Sequence, residues 1–195
     1  MSAVDRFVLE IIGLATRLYL AEVFLWASVA KIKKPPRLDE IIRLFYPRMV
    51  VHSRHLAHGI VLLEVILGIL LVIGLFPIFM ASLTATILVL YTAVLCIAWK
   101  TGYGGSCACF GHDGIGRVGP FHLVRNTLLA GFAVGVTTLA FLWPELAMPL
   151  WRSSAGTLFG SFMLVFAFNF IGILTKQIVV VHRKKLLLIG EVARE

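Results

Sequence analysis

The chain has 195 residues, of which 59% are hydrophobic and 14% charged, and its mean hydropathy is +0.95. Soluble domains average about 45–50% apolar and about 25% charged residues. This composition excludes a soluble enzyme and leaves a single integral membrane domain over residues 1–195. The formal net charge of +8 does not indicate nucleic acid. The Lys and Arg residues cluster beside apolar runs, where attraction to anionic lipid and the positive-inside rule account for them.

A helix crossing the hydrocarbon core needs about 20 mostly apolar residues. Five stretches meet that need: Phe7–Ala30, Ala57–Leu75, Pro77–Trp99, Phe121–Leu142 and Gly156–Val181. The first contains Glu10, Arg17 and Glu22, has no basic leader before it, and reads as a retained span rather than a cleaved signal. Between the first two spans, Lys31, Lys33, Lys34, Pro35, Pro36 and Arg37 form a basic, helix-breaking passage. Leu38, Ile41, Ile42, Leu44 and Phe45 then alternate with Asp39, Glu40 and Arg43 at helical spacing, which predicts an amphipathic segment over about 37–47 in the headgroup layer. His52, His55 and His58 follow as a solvated cluster at the membrane edge. Phe76-Pro77 separates the second and third spans and predicts a tight antiparallel turn, with Pro77 in the first helical turn, where its missing N–H costs nothing. Trp143-Pro144 and Pro149-Leu150-Trp151 read as interfacial anchors.

Five spans place the two ends of the chain on opposite sides. The Lys31–Arg54 passage, the segment after Trp99 and the basic run His182, Arg183, Lys184, Lys185 then share one face, which the positive-inside rule makes cytoplasmic. Disulfides persist mainly outside the cytosol, so the thiols on that face set charge and redox arguments for sidedness against each other.

Those thiols lie in Cys107-Ala108-Cys109-Phe110-Gly111, a Gly-rich loop between the third and fourth spans. Two cysteines one residue apart close a very small disulfide ring. Strain in such a ring makes it easily reduced, and therefore suited to exchange rather than to stapling a fold. His112, Lys100 and Arg117 are neighbouring cations or potential cations that favour a thiolate. Cys96, near the end of the third span, is a candidate resolving thiol. Three chemistries stay open: thiol–disulfide redox at Cys107 and Cys109, soft-metal binding of Cu or Zn by Cys107, Cys109, His112 and Cys96, and a structural pair in a non-catalytic subunit of a larger membrane complex. The spacing is not the Cys-x-x-Cys common in zinc sites, and redox exchange is the leading reading.

Ionisable groups inside a bilayer cost several kcal/mol unless paired or hydrated. Arg17, Glu22 and Glu64 all stand within spans, and Glu64 is the expected partner of Arg17. The plain role is an ion pair that sets helix register; the functional one is a polar pocket for a quinone headgroup or a proton relay. Glu10 and Arg17 share a helix face, and Glu22 points elsewhere. Arg125 and Asn126, just after the cysteine loop, are candidates to hydrogen-bond its backbone or a thiolate. Gly131-x-x-x-Gly135 and Gly156-x-x-x-Gly160 predict close helix approach, and Asn169 predicts an interhelical hydrogen bond.

A family resemblance rests on four of these features in order. The run from Arg17 to Lys31 followed by a proline-bearing loop resembles the first segment of the MauE family within the DoxX-like group. Leu63-Glu64-Val65-Ile66-Leu67-Gly68-Ile69-Leu70-Leu71 resembles that family's Glu-bearing span. Cys107-Ala108-Cys109-Phe110-Gly111 is similar to its Cys-Gly-Cys-Phe-Gly loop, with Ala108 in place of the usual Gly, and Arg125-Asn126 to the Arg-Asn that follows. The matches run from about Arg17 to about Leu142, and the fifth span lies beyond them. The resemblance implies an all-α polytopic membrane bundle, a four-helix core plus an extra C-terminal transmembrane helix, in a prokaryotic cell membrane. It also implies thiol–disulfide handling with a thioredoxin-like or client protein, and a possible quinone link; no metal site is assigned.

Overall fold

The computed structural model describes residues 3–33, 53–101, 120–146 and 149–192, with backbone only beyond residue 174. The amphipathic segment over about 37–47, His52 and the loop carrying Cys107, Cys109 and His112 lie outside the described residues. Five long helices carry the fold: α1 (Ala3–Lys33), α2 (Ser53–Ile73), α3 (Pro77–Lys100), α4 (Pro120–Leu142) and α5 (Ala155–Val192). Two short 3₁₀ turns, Pro144–Leu146 and Leu150–Arg152, bridge α4 and α5. Among the described residues no strand occurs.

Four of these helices contain stretches long and apolar enough to cross a membrane: His55–Ile73, Pro77–Lys100, Leu123–Leu142 and Ala155–Leu174. Their outward faces are apolar, with Leu62, Ile69, Val89, Leu90, Leu128, Phe141 and Phe166 among many exposed large side chains, so the surface contacts a lipid bilayer. Several hydroxyl groups on these helices are satisfied internally. Thr84 donates to the Met80 carbonyl at 2.7 Å, Thr92 to Leu88 at 2.7 Å, and Thr137 and Thr138 to Ala133 and Val134 at 2.9 Å. A hydroxyl bonded to its own helix has no unmet polar atom to expose to lipid.

α1 is not among the four apolar candidates, because Glu10, Arg17, Glu22 and Lys31 punctuate it. It is instead the central helix. Leu14, Leu18, Leu20, Ala21, Phe24 and Ala27 are all buried. α2 runs antiparallel to it: Lys31 meets Glu64, Leu25 lies over Gly68, and Arg17 lies over Gly74. α5 runs parallel to it in a constant register. Ser161 donates to the Ile11 carbonyl at 3.2 Å, and Asn169 Nδ2 donates to Glu22 Oε2 at 2.8 Å, the interhelical bond expected of Asn169. α3 follows the direction of α1, since Tyr91 lies beside Lys31 and Pro77 shares a cleft with Arg17. α4 runs back, which places its end at Val136, Leu139 and Ala140 in that same cleft.

The bundle therefore has two distinct ends. One, the loop end, gathers Lys31, the start of α2, the end of α3 and the start of α4. The other, the turn end, gathers Arg17, Gly74–Pro77, the 3₁₀ turns and the start of α5. Between them lies a dry layer of Leu20, Ala21, Phe24, Leu67, Leu71, Leu88, Leu129 and Ala133.

The turn between α2 and α3 is as short as the sequence predicts. Gly74 ends α2 in the left-handed region (φ 79°), and Phe76 (φ 48°) leads into Pro77. The two helices nevertheless pack chiefly on other partners, α2 on α1 and α3 on α4. The two small-residue motifs part company. A Cβ on Gly160 would stand 2.9 Å from Ile11 Cδ1, so this helix pair does approach closely. Gly131 and Gly135 have nothing among the described residues within 4 Å of a Cβ, so the close approach their spacing permits is not used there.

Candidate functional site

The loop end holds a buried polar cluster drawn from three helices. Lys31 closes α1, Glu64 lies on the inner face of α2 and Tyr91 on that of α3. Lys31 is 3% exposed and Glu64 1%. The Lys31 ammonium and the Tyr91 hydroxyl both donate to the same carboxylate oxygen, Glu64 Oε1. Lys31 Nζ also lies 3.5 Å from the Tyr91 hydroxyl and 4.8 Å from the centre of its ring, a cation–π contact. The second oxygen, Glu64 Oε2, is buried with no hydrogen-bond partner among the described residues. Two proton-bearing groups thus converge on one oxygen of a carboxylate whose other oxygen is open. The cluster ties the three helices together through one carboxylate.

This arrangement corrects the expected pairing of Arg17 with Glu64. Arg17 and Lys31 are fourteen residues apart, about 21 Å along α1 at ~1.5 Å per residue. The antiparallel register puts Lys31 beside Glu64 and Arg17 beside Gly74. A Cβ on Gly74 would stand 2.6 Å from Arg17 Nη1. Arg17 therefore belongs to the turn end, where it shares a cleft with Glu10, and Glu22 sits between the two ends on Asn169 of α5. Arg17, Glu22 and Glu64 do not converge, so the shared polar pocket expected for a quinone headgroup is not formed by these residues.

Lys31 and Tyr91 were not legible as site residues. Lys31 reads as the first member of a basic loop, yet it is helical and buried. Tyr91 reads as an ordinary aromatic in an apolar span. The usable signal was the charge on Glu64, which a bilayer interior requires to be partnered.

The remaining described candidates also occupy the loop end. Cys96 lies on α3 five residues after Tyr91, half-buried and in no disulfide among the described residues. Four residues later, at Lys100, the helix gives way to the cysteine loop, about 6 Å further along the axis at ~1.5 Å per residue. Asn126 follows the loop on α4 and is 0% exposed; its side-chain nitrogen and oxygen both lack a partner among the described residues. Arg125 beside it is half-buried. His55 and His58 are exposed, in keeping with a solvated edge. Among the described residues no three His, Cys, Asp or Glu side chains gather at metal-binding distance, a statement that does not reach Cys107, Cys109 or His112.

A family model described as methylamine utilisation protein MauE matches residues 9–141. No curated protein and no solved structure matches the chain. The matched segment begins in α1 and ends in α4. It contains Lys31, Glu64 and Tyr91, the Cys107–Cys109 loop and Asn126, and it stops short of α5. The match covers more than two thirds of the 195 residues, and the chain belongs to the MauE family of methylamine-utilisation proteins.

Proposed function

We propose that the protein is a membrane thiol–disulfide redox protein in which Cys107 and Cys109 alternate between dithiol and disulfide. The observation that carries this reading is one of placement. The Cys-x-Cys loop leaves the bundle at the end that holds Lys31, Glu64, Tyr91, Asn126 and the third thiol, Cys96. Buried polar groups of this kind are costly in a bilayer and mark working sites.

In the oxidising direction, a client thiolate attacks one sulfur of the Cys107–Cys109 disulfide. That S–S bond breaks and a mixed disulfide forms. A second client thiolate then displaces the loop cysteine. The client loses two electrons and two protons in forming its disulfide, and Cys107 and Cys109 gain them as two thiols. Attack by the reduced loop on the disulfide of a thioredoxin-like partner restores the starting state, passing the electrons to that partner. The same steps reversed deliver reducing equivalents. Each turn takes up or releases two protons at the loop thiols. Asn126, a buried amide with free capacity among the described residues, is suited to orient the loop or a thiolate.

Single-cysteine variants test this. With Cys107→Ser or Cys109→Ser, the remaining thiol forms a mixed disulfide that its neighbour can no longer resolve. At least one variant should accumulate a reductant-sensitive adduct on a non-reducing gel, and the double variant should accumulate none. Absence of an adduct from both single variants, under conditions that preserve disulfides, contradicts the proposal.

A further inference from the structure

The two chain connections at the turn end do not reach the same level. Gly68 of α2 packs on Leu25 and near the Ala21 carbonyl of α1, and Gly74, later on α2, lies against Arg17. The α2–α3 turn therefore stands beside Arg17. The α4–α5 connection stands well beyond it. Gly13 meets Leu139 of α4, Glu10 meets Thr157 of α5 at 3.4 Å, and Arg6 meets Glu145 at 3.8 Å. From Arg17 to Arg6 is about 16 Å along α1 at ~1.5 Å per residue, roughly half of a ~30 Å hydrocarbon core.

Both connections cannot lie at one membrane surface, and the side chains distinguish them. Beyond the level of Arg17, Phe7, Ile12, Phe141, Phe159 and Phe162 are exposed, an apolar surface that belongs in lipid. The α4–α5 connection carries Glu145, Arg152, Trp143 and Trp151, the composition of a membrane–water interface. The α2–α3 turn is the opposite. No charged residue occurs between Glu64 and Lys100, and Leu75, Phe76, Ile78 and Phe79 are exposed, Phe76 at 73%.

We infer that the α2–α3 turn is sunk in the bilayer, its outer side against lipid, beneath a water-filled notch formed by the cleft above it. Non-helical backbone at membrane depth is tolerated where protein encloses it or where it lines a wet cavity. The Gly74 N–H donates to the Leu70 carbonyl at 2.8 Å and the Met80 N–H to the Phe76 carbonyl at 2.9 Å, and Pro77 has no N–H to satisfy. The end of α2, where the helix dipole is negative, lies against the Arg17 guanidinium, which gives a buried arginine a role that needs no ligand. The cleft, about 270 Å³, extends from Arg17 and Pro77 to Glu10, Arg152 and Ser153, with room for several waters at about 30 Å³ each. Water then reaches Arg17, and about 21 Å of α1, at ~1.5 Å per residue, separates it from the Lys31 cluster.

Hydroxyl-radical footprinting of the unmodified chain in lipid nanodiscs tests this placement, because a radical formed from water oxidises only side chains that water reaches. Oxidation is read by mass spectrometry and scaled, residue by residue, to the same peptide free in solution. Phe76 and Phe79 should be protected, although both are open at the protein surface, whereas Trp151 should be oxidised. Pro77 and Leu139, which line the cleft, should be oxidised by the water inside it. Oxidation of Phe76 as complete as that of Trp151 would place the turn at the aqueous surface and overturn the inference. Protection of Pro77 and Leu139 equal to that of Phe76 would mean a dry cleft and overturn it as well.

Discussion

Replacing Glu64 with Leu should destabilise the bundle more than any change on its lipid face. Lys31 would then be a charged group 3% exposed with no carboxylate to meet it. Removing one member of a buried ion pair costs about 3–5 kcal/mol, on the order of 10 °C in melting temperature for a chain of this size. The loss is one of an uncompensated charge rather than of packing, so it has a specific remedy. Adding Lys31→Met to Glu64→Leu replaces both charges with apolar groups of similar volume and should return stability close to that of the unmodified chain. Tyr91→Phe removes one of two donors to Glu64 Oε1 and should cost only about 1–2 kcal/mol. Thermal unfolding of the purified protein in detergent reads all four chains. A double variant as unstable as Glu64→Leu alone would contradict the assigned pairing. The rescued variant also separates architecture from chemistry. It should fold, so any change in its rate of loop thiol exchange reports on the polar cluster rather than on the fold.

Gly74→Ala is the second large effect, and it arises at the other end of the molecule. Gly74 has φ 79°, and a side chain in the left-handed region costs about 1–2 kcal/mol. The new Cβ would also meet Arg17 Nη1 at 2.6 Å, Cζ at 2.8 Å and Nη2 at 2.9 Å. The guanidinium would have to shift toward the cleft it lines, so the total should reach about 2–3 kcal/mol when strain and displacement are combined. Shortening the obstructing side chain with Arg17→Gln should recover the steric part of the loss and leave the backbone part. By contrast, Gly131→Ala and Gly135→Ala, with nothing within 4 Å, should stabilise α4 by up to about 1 kcal/mol through helix propensity. Melting temperatures that fall equally at Gly74 and Gly131 would contradict the close seating of Arg17.

These two sites show which parts of the molecule could be read in advance. The helices were legible because a bilayer demands long apolar runs, and α3 and α4 begin and end within a residue of the stretches expected from hydropathy. The hydrogen bond of Asn169 was legible as a need but not as a partner. The pairing of charges was not legible, because it depends on the register of three helices. Shifting α2 along α1 by fourteen residues would bring Glu64 to Arg17 instead of Lys31, and no single helix encodes that offset. The small-residue motifs illustrate the same limit: Gly160 and Gly131 sit in identical patterns, and only the packing of α5 on α1 distinguishes them. α1 was legible as a span over Phe7–Ala30, but its central place in the bundle was not. Arg17, Ser28 and Lys31 are buried, so a helix whose composition resembles a surface helix occupies the centre of the bundle.

Thiol trapping on intact cells addresses the central claim most directly. Acid quenching followed by maleimide labelling of the unmodified chain, compared with Cys96→Ser, Cys107→Ser and Cys109→Ser, counts the thiols that are free in the cell. The redox account predicts a reductant-sensitive bond joining Cys107 to Cys109, present in a fraction of molecules that rises with an added oxidant and falls with a reductant. Thiols at Cys107 and Cys109 that remain fully reduced, or fully oxidised, whatever the redox condition would contradict it.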